Sequence, residues 1–197
     1  MSDDLRRVLL IAYYFPPLGL SGVQRTAKFA KFLGRYGWKP TVLTVEPAGY
    51  YAFDESLLRE VEEAGVEIVR TTSLDANRLF KKKGVVRLPS EFIRKAAGFI
   101  GDLLFIPDTK IGWKRRALKA ALELTARTRF DAILATAPPQ TDFLIGMELK
   151  RRTGIPLLVD YRDAWMEYPF KFYPTPFHTW LHRRMERKVL HASDGIV

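Results

Sequence analysis

Apolar residues follow two rhythms along this chain. "RRVLLIAYYF", from Arg6 to Phe15, is a continuous apolar run, as expected of a strand buried on both faces of a parallel sheet. After Gly22 the period changes. Val23, Ala27, Ala30 and Leu33, with Phe29 beside them, recur at helical spacing among Arg25, Lys28, Lys31 and Arg35. Gly34 and Gly37 end that helix. "KPTVLTVEP" predicts a second strand, "DESLLREVEEAG" an acidic helix closed by Gly65, and "VEIVRT" a third strand. Short connections between alternating strands and helices imply right-handed crossovers and a parallel sheet. The rhythm breaks from about Asp75 to Arg116, where helical pieces appear without a clear strand. It returns with the helix "WKRRALKAALELTART", the strand "FDAILATA", the helix "TDFLIGMELKRRTG" and the strand "IPLLVDYRD". A last helix, "TPFHTWLHRRMERKVLHAS", leads into "DGIV". The pattern predicts an α/β, Rossmann-like, doubly wound parallel sheet: one domain over residues 1–197 with an insertion at about 75–116.

Composition narrows this picture. A chain of 197 residues with 47% hydrophobic content can bury a core of its own. No apolar run approaches the ~18 residues of a membrane span. "MSDDLRR" lacks a secretory pattern, so no signal peptide is expected. The absence of cysteine rules out disulfides and thiolate metal sites and fits a reducing, cytoplasmic setting. Because "SDGIV" reads as the opening of a strand, the chain is expected to be the N-terminal part of something longer.

Charge adds a class of partner. The chain has 32 Lys and Arg against 22 Asp and Glu, a formal net of +10, which favours nucleic acid, anionic lipid or phosphorylated ligands. The insertion holds eleven Lys or Arg against four acids (Asp75, Glu91, Asp102 and Asp108), a net of +7. Its interleaved Leu, Ile and Phe make it basic and amphipathic, which suits an anionic membrane surface. The alternative is a helical flap whose apolar side packs on the sheet.

In open parallel sheets, ligands bind beyond the carboxyl ends of the strands, and three loops there carry unusual chemistry. "PPLGLSG" holds Gly19, Ser21 and Gly22, whose backbone can turn tightly and approach a ligand. The following helix, with Arg25 in its second turn, offers free N–H groups to an anion. The pattern is neither the dinucleotide Gly-x-Gly-x-x-Gly nor a phosphate loop ending in Lys-Ser/Thr. "ATAPPQTD" places Thr136 and Gln140 at a strand end stiffened by two prolines. "VDYRDAW" sets Asp160, Arg162, Asp163 and Trp165 just past an apolar strand, where charge is expensive to hold without a purpose. Asp163 is the candidate reactive carboxylate and Arg162 a candidate anion contact. His178 and His182 have a spacing that can chelate a metal, but with no third ligand evident they read as solvated helix histidines. No Asp-x-Asp occurs, so no metal is expected.

"YYFPPLGLSGVQRTAKFAKFLGRYGWKPTVLTV", "IPDTKIGWKRRAL", "ILATAPPQTDFLIGMELKRRTGIPLLVDYRDAW" and "MERKVLHASDGIV" together resemble the N-terminal, acceptor-side half of family-4 (group 1) glycosyltransferases of the GT-B fold. The resemblance runs from the first strand to Val197 and is loosest in the insertion. It implies a retaining, metal-independent transferase of the hexosyltransferase type, with a nucleotide-sugar as co-substrate and no cofactor. The donor would bind through a C-terminal domain absent from this chain, and these residues alone would not turn over. The acceptor would be a glycan or lipid-linked molecule, as in polysaccharide biosynthesis. The protein would then be cytoplasmic, peripheral at the inner membrane face. The loop Gly19 to Gly22 would face the donor diphosphate, and "DYRD" would line the acceptor side. The typical loop of this family has two adjacent glycines; here Leu20 stands beside Gly19. Many members carry a histidine in the loop matching "TAPPQTD", a contact that Gln140 or Thr136 would supply here.

The competing reading is a non-catalytic Rossmann-like module binding nucleic acid or another anionic partner through its basic face. Against nucleic acid, the basic residues lie beside aliphatic and Phe side chains, with no stacking motif of the RNA-binding type. A dinucleotide oxidoreductase is disfavoured by the missing glycine fingerprint.

Overall fold

The computed structural model describes residues 5–48, 52–75, 91–169 and 171–197, with the side chains of Ser21, Ile93, Arg94 and Lys95 outside that description. Six strands form one sheet: β1 (Arg6–Ile11), β2 (Trp38–Val45), β3 (Glu67–Thr71), β4 (Ala132–Ala137), β5 (Leu157–Tyr161) and β6 (Gly195–Ile196). All are parallel, in the order β3-β2-β1-β4-β5-β6. Among the described residues, six helices connect or extend them: α1 (Ser21–Leu33), α2 (Glu55–Glu63), α3 (Glu91–Leu104), α4 (Lys114–Arg127), α5 (Thr141–Thr153) and α6 (Pro176–Ala192).

The continuous apolar runs become strands because both faces of the sheet are covered. Val8, Leu10 and Val42 pack with Val23, Ala27 and Ala30 of α1 and Leu57 and Val61 of α2. Leu9, Ile11, Leu43 and Ile133 point the other way, into a second core with Ala117 and Ala121 of α4 and Phe143, Ile145 and Leu149 of α5. The side-chain period of two sends neighbouring residues of one strand into different cores, which is the doubly wound arrangement expected from the sequence. β1 is shorter than its apolar run: the strand ends at Ile11, while Ala12, Tyr13 and Phe15 remain buried in the turn that follows.

Local signals set the helix ends. Asp54 caps α2, its carboxylate accepting from the Leu57 N–H at 2.9 Å. Thr175 caps α6, with Pro176 in the first helical turn, where a missing N–H costs nothing. Gly154 closes α5 in the left-handed conformation, its N–H reaching the Lys150 carbonyl at 2.8 Å.

Residues 76–90 of the expected insertion lie outside the described residues. Within the described part, α3 leaves Phe92, Phe99, Ile100, Leu103 and Leu104 exposed, so these side chains do not pack on the sheet. Ile111 and Trp113 of the same insertion do pack in the second core, so the flap alternative fails for α3 alone.

Candidate functional site

β1 lies between β2 and β4, and the helices after β1 and β4 cover opposite faces of the sheet. That switch in winding direction opens a crevice beyond the carboxyl ends of the two strands. The loops 12–20 and 138–140 enter it, joined by 162–165 from the end of β5.

The first loop turns on its own chain. Gly19 donates its N–H to the Ala52 carbonyl at 2.9 Å, and a Cβ at Gly19 would stand 3.2 Å from the Ala52 Cβ. Leu20 has φ 79° and ψ 160°, a backbone region that side-chain-bearing residues rarely enter, and is 51% exposed. Ser21 opens α1, its side chain outside the described residues. A Cβ on Gly22 would run into the guanidinium of Arg162. The absence of a side chain there makes room for Arg162.

Arg162 is a clamp. Its Nη1 donates to the Gly22 carbonyl, its Nη2 to the Pro138 carbonyl and its Nε to the Ala137 carbonyl at 3.3 Å. One guanidinium thus ties the start of α1 to the end of β4 and the end of β5. Asp160 is fully buried and in register with Thr136, whose hydroxyl donates to it at 2.9 Å. Arg25 reaches across from α1 to the same carboxylate, with Nη2 to Oδ1 at 2.8 Å and Nε to Oδ2 at 3.4 Å. The Arg25 side chain stays 46% exposed, lies over the Phe29 ring, and its Nη1 makes no hydrogen bond among the described residues. Arg25, Thr136, Asp160, Arg162 and Gly22 are therefore brought to one place. Gln140 is nearly buried at the start of α5, its side-chain amide without a hydrogen bond among the described residues. Asp163 follows directly, exposed and without a side-chain partner among the described residues. Trp165 sits in the core at 1% exposure, its Nε1–H donated to His182 Nδ1 at 3.0 Å. Its indole holds the loop and offers no free surface.

Beneath the crevice lies a polar layer that the sequence reading did not single out. The Tyr13 N–H donates to Asp142 Oδ2 at 2.8 Å, and the Tyr13 hydroxyl donates to Asp75 Oδ2 at 2.5 Å. The Lys110 ammonium lies over the Tyr13 ring, 5.2 Å from its centroid. Asp108 accepts from the Thr141 N–H and hydroxyl, both at 2.8 Å, at the first turn of α5. Burial pushes the Asp142 carboxyl well above the usual carboxylate range against the pull of the Tyr13 N–H, and Asp108 adds to the rise. Asp108 itself is raised by burial. In the sequence, Asp142 looks like an ordinary acid favouring a helix N-terminus, and Asp75 and Asp108 count only as charges of the insertion. Their pairing depends on chain segments up to 129 residues apart, for which no local signal exists.

Residues 21–197 match the family described as Glycosyl transferase 4-like domain. The chain belongs to that family. No curated protein matches it. Among solved structures it is similar to the glycosyltransferase SnogD from Streptomyces nogalater, at 18% identity and TM-score 0.44, over 98% of this chain and 42% of that one. It is also similar to the glycosyltransferase SsfS6 of Streptomyces sp. SF2575, complexed with thymidine diphosphate, at 22% identity and TM-score 0.46, over 79% of this chain and 38% of that one. A protein of unknown function, VPA0982 from Vibrio parahaemolyticus, aligns over 100% of this chain and 94% of its own, at 10% identity and TM-score 0.42. The chain spans less than half the length of either glycosyltransferase, and likenesses this distant carry no function.

In this glycosyl transferase 4-like domain the two helix histidines are not solvated, contrary to the sequence expectation. Both are buried on the inner side of α6. His178 Nε2 lies 3.2 Å from the Leu103 carbonyl at the end of α3, and His182 accepts from Trp165. Helical spacing gave their separation but not which face they share. Burial, aided by nearby Lys171 and His178, lowers the His182 pKa to about 4. Lys171 is lowered and Glu186 raised, each chiefly by burial. Among the described residues, no group of three or more His, Cys, Asp or Glu is placed to hold a metal ion.

Proposed function

We propose that this domain is the acceptor-side half of a retaining glycosyltransferase. The enzyme would move a sugar from a nucleotide-sugar donor to a lipid-linked or polysaccharide acceptor without a bound metal. Family membership supports the transferase class. The single observation that carries the siting is Arg25, a cation held by the buried Asp160 carboxylate with Nη1 left over at the rim of the crevice.

A departing diphosphate needs positive charge at the moment the glycosidic bond breaks, and a pre-placed guanidinium supplies it without reorganisation. Asp160 holds Arg25 in place, and Thr136 completes the hydrogen bonds of Asp160. The exposed Asp163 and the Gln140 amide are the groups left to meet acceptor hydroxyls. Arg162 keeps the three loops at fixed spacing, which is what positioning catalysis requires. The donor would be gripped by a second domain facing this crevice.

The test uses the full-length protein with a panel of UDP-, GDP- and dTDP-sugars, in chelator, with product anomers read by NMR. Arg25→Lys keeps a charge on Asp160 but loses the fork, and should lower kcat/KM by about 10–100-fold, on the order of 1.4–2.7 kcal/mol of transition-state stabilisation. Unchanged turnover in that variant would remove Arg25 from the reaction. An inverted product, or dependence on divalent metal, would refute the mechanism proposed.

A further inference from the structure

Two helices of this domain carry large apolar residues on the outside. On α3, Phe92, Phe99 and Leu103 fall on one stripe at helical spacing, and all are exposed. α6 splits the same way. His178, His182, Met185 and Val189 form its inward stripe, with His178, His182 and Val189 buried and Met185 packed against the core. Its outward stripe runs Phe177, Trp180, Arg184, Arg187 and Lys188, all exposed. A helix serving only its own domain is expected to show the reverse.

The two outward stripes are joined through the loop before α6. Phe99 of α3 contacts Phe172 of the loop before α6, with ring centroids 5.9 Å apart, and His178 ties the end of α3 to the first turn of α6. Phe177 and Trp180 stack at 5.9 Å, and the Arg184 guanidinium lies over the indole at 5.4 Å. A groove of about 530 Å³, lined by Phe172, Tyr173, Pro174, Trp180 and Arg183 among others, runs through this patch. Phe172 and Phe177 are each 59% exposed, and Trp180 is 51% exposed. Isolated exposed apolar residues are ordinary on a protein surface, but a joined set of this size is not.

We infer that this face docks on an anionic lipid bilayer. Phe and Trp side chains that can sit at headgroup depth, next to a row of Arg and Lys, match the chemistry of that boundary: apolar rings enter, while guanidinium and ammonium groups meet lipid phosphate. Nucleic acid would have no use for the exposed aliphatic Ile100, Leu103 and Leu104 of α3, and a second copy of this chain would bring basic rows against one another across the contact. The net charge of +10 has the sign that an anionic surface attracts. α3 ends and α6 begins beside the loops that follow β5, so docking would hold the crevice close to the headgroups. The inference deepens the proposed function by giving the acceptor a location, and its test involves no sugar transfer, so either can fail alone.

The experiment is sedimentation of the whole chain with vesicles of phosphatidylcholine, alone or with about a third phosphatidylglycerol, at about 0.05 M and about 0.5 M salt. Binding should require the anionic lipid and weaken with salt. Phe177→Ser with Trp180→Ser should reduce the partition coefficient about tenfold or more while the thermal melt stays unchanged. Brominated acyl chains should quench tryptophan emission through Trp180, because Trp113 and Trp165 are buried and the half-buried Trp38 lies at the start of β2 under Arg6, and Trp180→Phe should remove that quenching. Equal partition to neutral and anionic vesicles, or no partition at either salt, would overturn the inference. So would self-association or nucleic-acid binding that the double serine variant abolishes while vesicle binding persists.

Discussion

Leu20 occupies a backbone conformation that glycine enters freely and leucine does not. Such a conformation costs on the order of 1–3 kcal/mol, whereas an added glycine costs about 0.5–1 kcal/mol in unfolded-chain entropy. The strain is the larger quantity. Leu20→Gly should therefore stabilise the domain by about 1 kcal/mol in urea unfolding, and a net loss of stability would show that the leucine side chain has contacts that matter. Asp142 gives a second prediction. Its carboxyl keeps its proton in the fold at pH values where the unfolded chain has released it, so folded-state stability falls as pH rises above about 4. Asp142→Asn retains an acceptor for the Tyr13 N–H, should flatten that fall, and should be more stable than the parent at pH 8 by chemical denaturation.

Helices and strands differed in how much the sequence disclosed. The central strands β1, β2, β4 and β5 were legible as apolar runs because they are buried on both faces, and the first helix because Val23, Ala27 and Ala30 share a single covered side. α6 was legible as a helix but its orientation was not. Its histidines sit at the same spacing whether they face water or core, and only tertiary contact with Trp165 and Leu103 decides between them. The site divided likewise. Thr136, Asp160 and Arg162 were visible as polar residues at strand ends and Arg25 as a basic residue early in α1, while the carboxylates joined to Tyr13 were not, because their partners are remote in sequence. For α6 the buried His182 predicts a pH dependence. Its folded pKa, near 4, is below the unfolded value near 6.5, so its contribution is complete above pH 6.5 and is lost as pH falls toward 4. The loss should be on the order of 2 kcal/mol. His182→Gln, which still accepts from the Trp165 indole and does not titrate, should remove most of this slope in thermal melts between pH 7 and pH 4.5.

At the scale of the molecule, stability is unevenly distributed. β1, β2, β4 and β5 fill two cores, whereas α3 lies outside them and turns much of its apolar surface outward. Hydrogen exchange should show central-strand amides opening only with global unfolding and α3 amides opening far more readily. Protection of α3 equal to that of β4 would contradict this. The clamp formed by Arg162 has a mechanical meaning. Because one guanidinium is shared by the start of α1, the end of β4 and the end of β5, those three segments cannot drift apart one at a time. The floor of the crevice then behaves as an anvil: any closing over a ligand has to be a stroke delivered from above, and a change at Arg162 would blunt all three edges together.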